Sequence, residues 1–129
     1  MATITPFADS PRNGAWGDRP YAVIDFAGPA SYTQLTPGAA NTAGAVPTGG
    51  QAIGPSNFGL TAGLEGIDPV SMSSSGNYFV QAVQLTSYNQ GYGNATWALV
   101  WFAVATGQQV TAATALNNEI VRLLGFGPY

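Results

Sequence analysis

The stretch Ala95-Thr-Trp-Ala-Leu-Val-Trp-Phe-Ala-Val-Ala105 decides the fold class. In a strand, Trp97, Leu99, Trp101 and Ala103 point one way, and Ala98, Val100, Phe102 and Val104 point the other. Both parities are apolar, so the strand has no solvent face and is expected at the centre of a sheet, covered on both sides. At eleven residues it is about half the ~20 that a transmembrane helix requires.

Working outward, Tyr78 to Thr86 reads as a long strand, with Phe79, Val83 and Leu85 on one parity and Tyr78, Val80 and Ala82 on the other. The eight polar, Gly-containing residues 87–94 between the two runs predict an antiparallel hairpin with a projecting loop. Thr106-Gly107 turns the chain again. Upstream, Tyr21 to Phe26 is a strand ended by Gly28-Pro29, and Ala30 to Leu35 a second one stopped by Pro37-Gly38. Residues 37–50 read as an exposed loop. A strand resumes over 51–60, interrupted at Gly54-Pro55, which suggests an edge or a bulge. Ile67 to Met72 is a short strand weakened by Pro69, and Ser73 to Asn77 a turn. At the C-terminal end, Ala112, Leu116, Ile120 and Leu124 recur every fourth residue and fit a short helix starting near Thr114. Residues 120–124 fit a closing strand equally well. The whole is mainly β: an antiparallel β-sandwich or small β-barrel, as one domain over 21–129.

Residues 1–20 differ from the rest. Pro6, Pro11, Gly14, Gly17 and Pro20 break any periodicity, while Asp9, Arg12, Asp18 and Arg19 concentrate charge that is scarce elsewhere. A frayed terminus is the plain alternative. An extended N-terminal arm, up to ~65 Å at ~3.3 Å per residue, is expected instead. It would lie across a neighbouring subunit, anchored by Phe7 and Trp16, because large apolar side chains are costly to leave solvated on a loose tail.

Composition narrows function. Only 7% of the 129 residues are charged, against roughly 25% in ordinary soluble proteins. There is no Lys, His or Cys. A free monomer normally keeps its surface soluble with charge, so this composition points to a component of a permanent assembly. Net charge is −3 and the cations are Arg12, Arg19 and Arg122 alone, which disfavours nucleic acid as a partner. Residues 2–15 show no apolar core and no basic start, so the expectation is a chain made in the cytoplasm without a membrane partner. Asn94-Ala-Thr96 matches a glycosylation sequon, taken as chance on the same ground.

Catalysis needs groups that take protons, attack or hold charge. Glu65 and Asp68 lie three apart in a Gly-flanked loop and could form a glycosidase pair, or join Asp25 around Ca²⁺. Two acids in a solvated loop are far more often only that, and no calcium-loop spacing is present. No Gly-rich stretch fits a phosphate loop. The expectation is therefore no enzyme, no cofactor and no metal. Among the aromatics, Trp97 and Trp101 share one parity and read as core. Tyr88 and Tyr92 sit in the hairpin loop and are the plausible contacts, as interface anchors or, in a carbohydrate-binding module, as sugar-stacking platforms.

Five segments together resemble small structural proteins of tailed-bacteriophage virions, particularly head decoration or cement proteins. They are Val46-Pro-Thr-Gly-Gly50, Phe58-Gly-Leu60, Ser75-Gly-Asn-Tyr78, Trp101-Phe-Ala-Val-Ala-Thr-Gly107 with Val110, and Val121-Arg-Leu123. None is a catalytic motif; their order and the composition carry the resemblance, which spans roughly residues 46–125. It implies a β-rich, non-enzymatic protein bound in many copies, often as homotrimers, to the major capsid protein on the outer surface of the virion. It does not separate a head protein from a tail, fibre or shell component. A main shell subunit of a small RNA phage fits poorly, since three Arg cannot supply a basic RNA-facing sheet.

Overall fold

A computed structural model describes residues 4–6, 13–16, 19–36, 48–61, 63–85 and 96–127. It is a mainly β structure with eight described strands: β1 (Ile4–Pro6), β2 (Asn13–Trp16), β3 (Arg19–Ala27), β4 (Gln51–Ile53), β5 (Gly66–Pro69), β6 (Tyr78–Gln84), β7 (Trp97–Ala103) and β8 (Ile120–Phe126). Five strands form one sheet in the order β1-β3-β8-β5, with β2 also on β3, and three form the other, β4-β7-β6. Every described pairing is antiparallel. The two sheets face each other as a small β-sandwich.

β7 is the central strand of its sheet, as its two apolar parities require. Leu99 and Trp101 are fully buried on the inner face, and Ala98 and Val100 are buried on the other. Its hairpin partner β6 runs from Tyr78 opposite Ala103 to Gln84 opposite Trp97. From the facing sheet come Ala22, Ile24 and Phe26 of β3 and Val121 and Leu123 of β8, alternating with outward-facing neighbours. Tyr32, Phe58, Leu60, Leu64, Val110 and Leu116 close the core from the connections.

Polar groups tie the sheets together. The Trp101 indole donates to Gln51 Oε1 at 2.9 Å, and Gln51 Nε2 donates to the Ala27 carbonyl across the sandwich at 2.8 Å. Trp97 donates its indole N–H to the Leu64 carbonyl at 3.1 Å. Both tryptophans are thus structural, Trp101 buried and Trp97 partly so, each with a hydrogen-bond partner for its indole. Among the described residues no buried side-chain nitrogen or oxygen lacks a hydrogen bond.

Two expectations change, and the open choice at the C-terminal end is decided. The C-terminal stretch forms no helix. Ala113 takes a left-handed φ of 67°, and β8 is laddered by β3 from Ile120 onward and also by β5 from Leu123 onward. Period two therefore prevails over period four: Val121 and Leu123 are buried, whereas Ile120 is 46% exposed. Residues 30–35 are not a strand. They run between 113–116 and 48–50, with Tyr32 N–H donating to Thr114 O at 3.0 Å and Gly50 N–H to Thr33 O at 2.8 Å. Their neighbours are turns, so the bonds come singly instead of as a ladder. The run after Gly54 becomes a short 3-10 helix, Pro55–Phe58, ended by Gly59 at φ 70°, and it drives Phe58 into the core. The described parts of 1–20 are strands that pair within the chain. β1 pairs with residues 24–26 of β3 and β2 with residues 19–22, along one edge of the same chain. A long edge strand invites pairing, and here local segments satisfy it.

Candidate interaction surface

Of the contact residues expected from the sequence, Phe7, Tyr88 and Tyr92 lie outside the described residues. Trp16 ends β2 opposite Arg19. The acids behave as separate groups. Asp68 stands exposed on β5 opposite Leu124, the Glu65 backbone N–H donates to Phe126 O at 2.8 Å, and Asp25 is engaged by Arg122. Among the described residues no three His, Cys, Asp or Glu side chains come together as a metal site. No helix among them is long and apolar enough to cross a membrane.

The surface that does assemble lies on the outer face of the five-stranded sheet, where β8 meets the segment after β5. Pro69 ends β5, and the chain continues beside β8 by exchanging ladder bonds for serine side chains. Val70 N–H donates to Arg122 O at 2.8 Å. Arg122 N–H donates to Ser71 Oγ at 3.0 Å, and Ile120 N–H to Ser74 Oγ at 3.1 Å. Serine hydroxyls accept as carbonyls would, so the backbone of β8 stays satisfied while the neighbouring chain bows outward. Between the two runs a groove of about 270 Å³ forms, lined by Asp25, Ser71, Met72, Ser74, Ile120, Val121 and Arg122.

The groove combines apolar walls with a charged floor. Met72 is 48% and Ile120 46% exposed, and Val70 beside them 56%. Asp25 and Arg122 are directly opposed across β3 and β8 and meet in a two-point pair, Nε to Oδ1 at 2.8 Å and Nη2 to Oδ2 at 3.2 Å. Hydrogen bonding to Asp25 raises the Arg122 pKa, against an opposing effect of burial and with the Asp25 charge adding to the rise. Fork-on-carboxylate geometry fixes both side chains in direction, though at this exposure the pair adds little stability.

The rim is held by Glu119. Its Oε1 accepts from the Ser75 hydroxyl at 2.6 Å and the Ser75 N–H at 3.3 Å. Burial pushes the carboxyl pKa up, but hydrogen bonds from the side chains of Ser75 and Ser73 and from the Ser75 backbone outweigh it, and the net shift is downward. The Ser73–Ser75 turn is thereby clasped to the start of β8.

Sequence reasoning placed Val70 and Met72 in a strand and left Ile120 between helix and strand, so it did not find this surface. The available signal was the run Ser71-Met72-Ser73-Ser74-Ser75 just after Pro69: a proline that stops a ladder, followed by side chains able to replace it. What was missing was the neighbour, β8, some fifty residues away. No protein-family model matches the chain, and comparisons with curated proteins and with solved structures find no match.

Proposed function

We propose that this protein is a non-enzymatic structural component of a tailed-phage virion, a decoration or cement protein that binds the major capsid protein on the outside of the head. The observation that carries this reading is the groove: exposed Met72 and Ile120 around the Asp25–Arg122 pair, on a chain with only 7% charged residues. Large apolar side chains gathered on one surface mark an interaction site. Apolar anchors beside one oriented ion pair give affinity and register to a macromolecular contact. Weak single contacts of this kind suffice when many copies act on a repeating lattice. The rigid sandwich and its satisfied interior suit a part whose role is to be held in place and to hold its neighbours.

The test is made on purified particles. The protein should be present in many copies, in heads and not only in tails, and heads lacking it should lose resistance to heat. Met72→Asp with Ile120→Asp should leave the fold intact by circular dichroism and abolish rebinding to stripped heads. Particles free of the protein, or heads that rebind the double variant as well as the native chain, would sink the proposal. Recovery with tails alone would move it to another virion position.

A further inference from the structure

β6 is the outermost strand of the three-stranded sheet, and its bonding parity follows from two flanking contacts. Val104 N–H donates to Asn77 O at 2.9 Å, and Leu85 N–H to Thr96 O at 2.8 Å. Odd-numbered residues 79, 81 and 83 therefore exchange backbone bonds with β7, while Tyr78, Val80, Ala82 and Gln84 turn their N–H and C=O groups outward. Tyr78 is capped: Ser73 N–H donates to Tyr78 O at 2.9 Å and Tyr78 N–H to Ser73 Oγ at 3.2 Å. Val80, Ala82 and Gln84 find no such partner among the described residues, which leaves three donors and three acceptors in a row.

Edge strands are normally blunted by charge, proline, a bulge or extreme shortness. Tyr78-Phe-Val-Gln-Ala-Val-Gln84 has none of these. It is seven residues long, uncharged, rich in β-formers and free of Gly and Pro, the make-up of a segment that adds strands readily. Contrast the edge of β3, which local segments cover.

We infer that β6 is a self-association edge, paired antiparallel with β6 of a second copy about a twofold axis at Ala82. The unpaired set is self-complementary in that register. Ala82 of each copy faces Ala82 of the other, and Val80 faces Gln84 in both directions, so all six outward groups of one strand meet all six of its mate as six hydrogen bonds. The small Ala82 side chain stands at the axis. β6 itself carries no charged residue, in a chain of net charge −3. The result is a continuous six-stranded sheet, β4-β7-β6 followed by β6-β7-β4, with isologous symmetry. This is twofold, not the threefold association that the phage resemblance implies, and it is independent of the virion proposal.

Three measurements on the full chain test it. Sedimentation of the native protein over a concentration series should show a dimer. Ala82→Pro removes an N–H that points away from β7 and so breaks no bond within the sheet. It should weaken the dimer about tenfold or more, having taken two of six bonds. The third reads register in a chain with no native cysteine. In the paired strands Gln81 of one copy lies opposite Val83 of the other at a non-hydrogen-bonded pair, where side chains approach most closely. With oxidised glutathione as oxidant, a mixture of Gln81→Cys and Val83→Cys proteins should crosslink at least about fivefold faster than either alone. A native chain that stays monomeric, an Ala82→Pro dimer of unchanged strength, or a mixture that crosslinks no faster than its components would each overturn the inference. If Ala82→Pro fails to fold, the crosslinking comparison decides. Protection of β6 from hydrogen exchange only on addition of a different protein would overturn it in favour of a foreign strand.

Discussion

Replacing Tyr32 by Phe removes one oxygen from the interior, and the structure says what that oxygen does. Tyr32 is 1% exposed. Its hydroxyl accepts from Trp101 N–H at 3.2 Å and donates to Gln109 Oε1 at 2.8 Å. β4 covers β7 only as far as Leu99, so beyond that point the Trp101 N–H depends on this hydroxyl. In Tyr32→Phe the ring remains and the cavity is negligible, but a backbone donor is stranded in the core. Leaving a buried donor unsatisfied costs roughly 1–3 kcal/mol. Gln109 Oε1 still accepts from Leu35 N–H at 2.6 Å, so the acceptor side adds little and a midpoint near ~2 kcal/mol is expected. At ~2.1 cal/mol/K of unfolding entropy per residue, that loss lowers Tm by about 7 °C. Thermal and urea unfolding would measure it, with an unchanged urea m-value showing that the compactness of the two states is preserved.

The same residue gives an alkaline signature. Burial pushes the Tyr32 pKa up, the backbone hydrogen bond from Trp101 partly opposing it. A raised folded-state pKa means the neutral form is favoured in the native protein. That stability is fully present below the unfolded value of about 10 and is lost as pH rises through the folded value. The gap between native and Tyr32→Phe proteins should therefore narrow above pH ~10. A Tm loss below about 1 °C, against the scale set by the unfolding entropy, or a gap that stays constant through the alkaline range, would refute the role assigned to the hydroxyl.

Two further outcomes follow from local geometry. An added Cβ at Gly125, near the end of β8, would lie 2.4 Å from Phe58 Cδ1, and Phe58 is buried. Gly125→Ala should cost about 1–3 kcal/mol by overpacking, and Phe58→Leu in the same chain should recover part of it, read by urea denaturation as a non-additive pair. Glu119, whose pKa is lowered by Ser75 and Ser73 despite burial, contributes stability that is present above the unfolded carboxyl value of about 4.3. That contribution is lost as pH falls through the folded value. Glu119→Gln should flatten the acid limb of the stability profile and leave the alkaline limb alone.

Much of the architecture follows from residue order. The double apolar parity of 95–105 is enough to centre β7, because a strand without a polar face cannot sit at a solvent boundary. Alternation in 78–86 supplies β6, and the polar linker makes the two antiparallel. Tyr21 to Phe26 likewise announces β3. Low charge and the absence of Lys, His and Cys also hold without any fold, and they shape the functional proposal more than any single residue does.

Tertiary structure decided the rest wherever local patterns were balanced or partners were distant. Residues 120–124 suit helix or strand by themselves; β8 forms because β3 and β5 offer it two ladders at once, and no local pattern encodes that. Tyr32 meets Gln109 and Trp101, and Asp25 meets Arg122, across 69 to 97 residues of chain, so neither the interior network nor the groove floor has a spacing to recognise. The groove of Met72 and Ile120, and the open parity of Val80, Ala82 and Gln84, exist only once strands are paired. Hydrophobic period records which side of a strand is buried. Which edge is left without a neighbour is a property of the assembled sheets, set by which segments reach which strand.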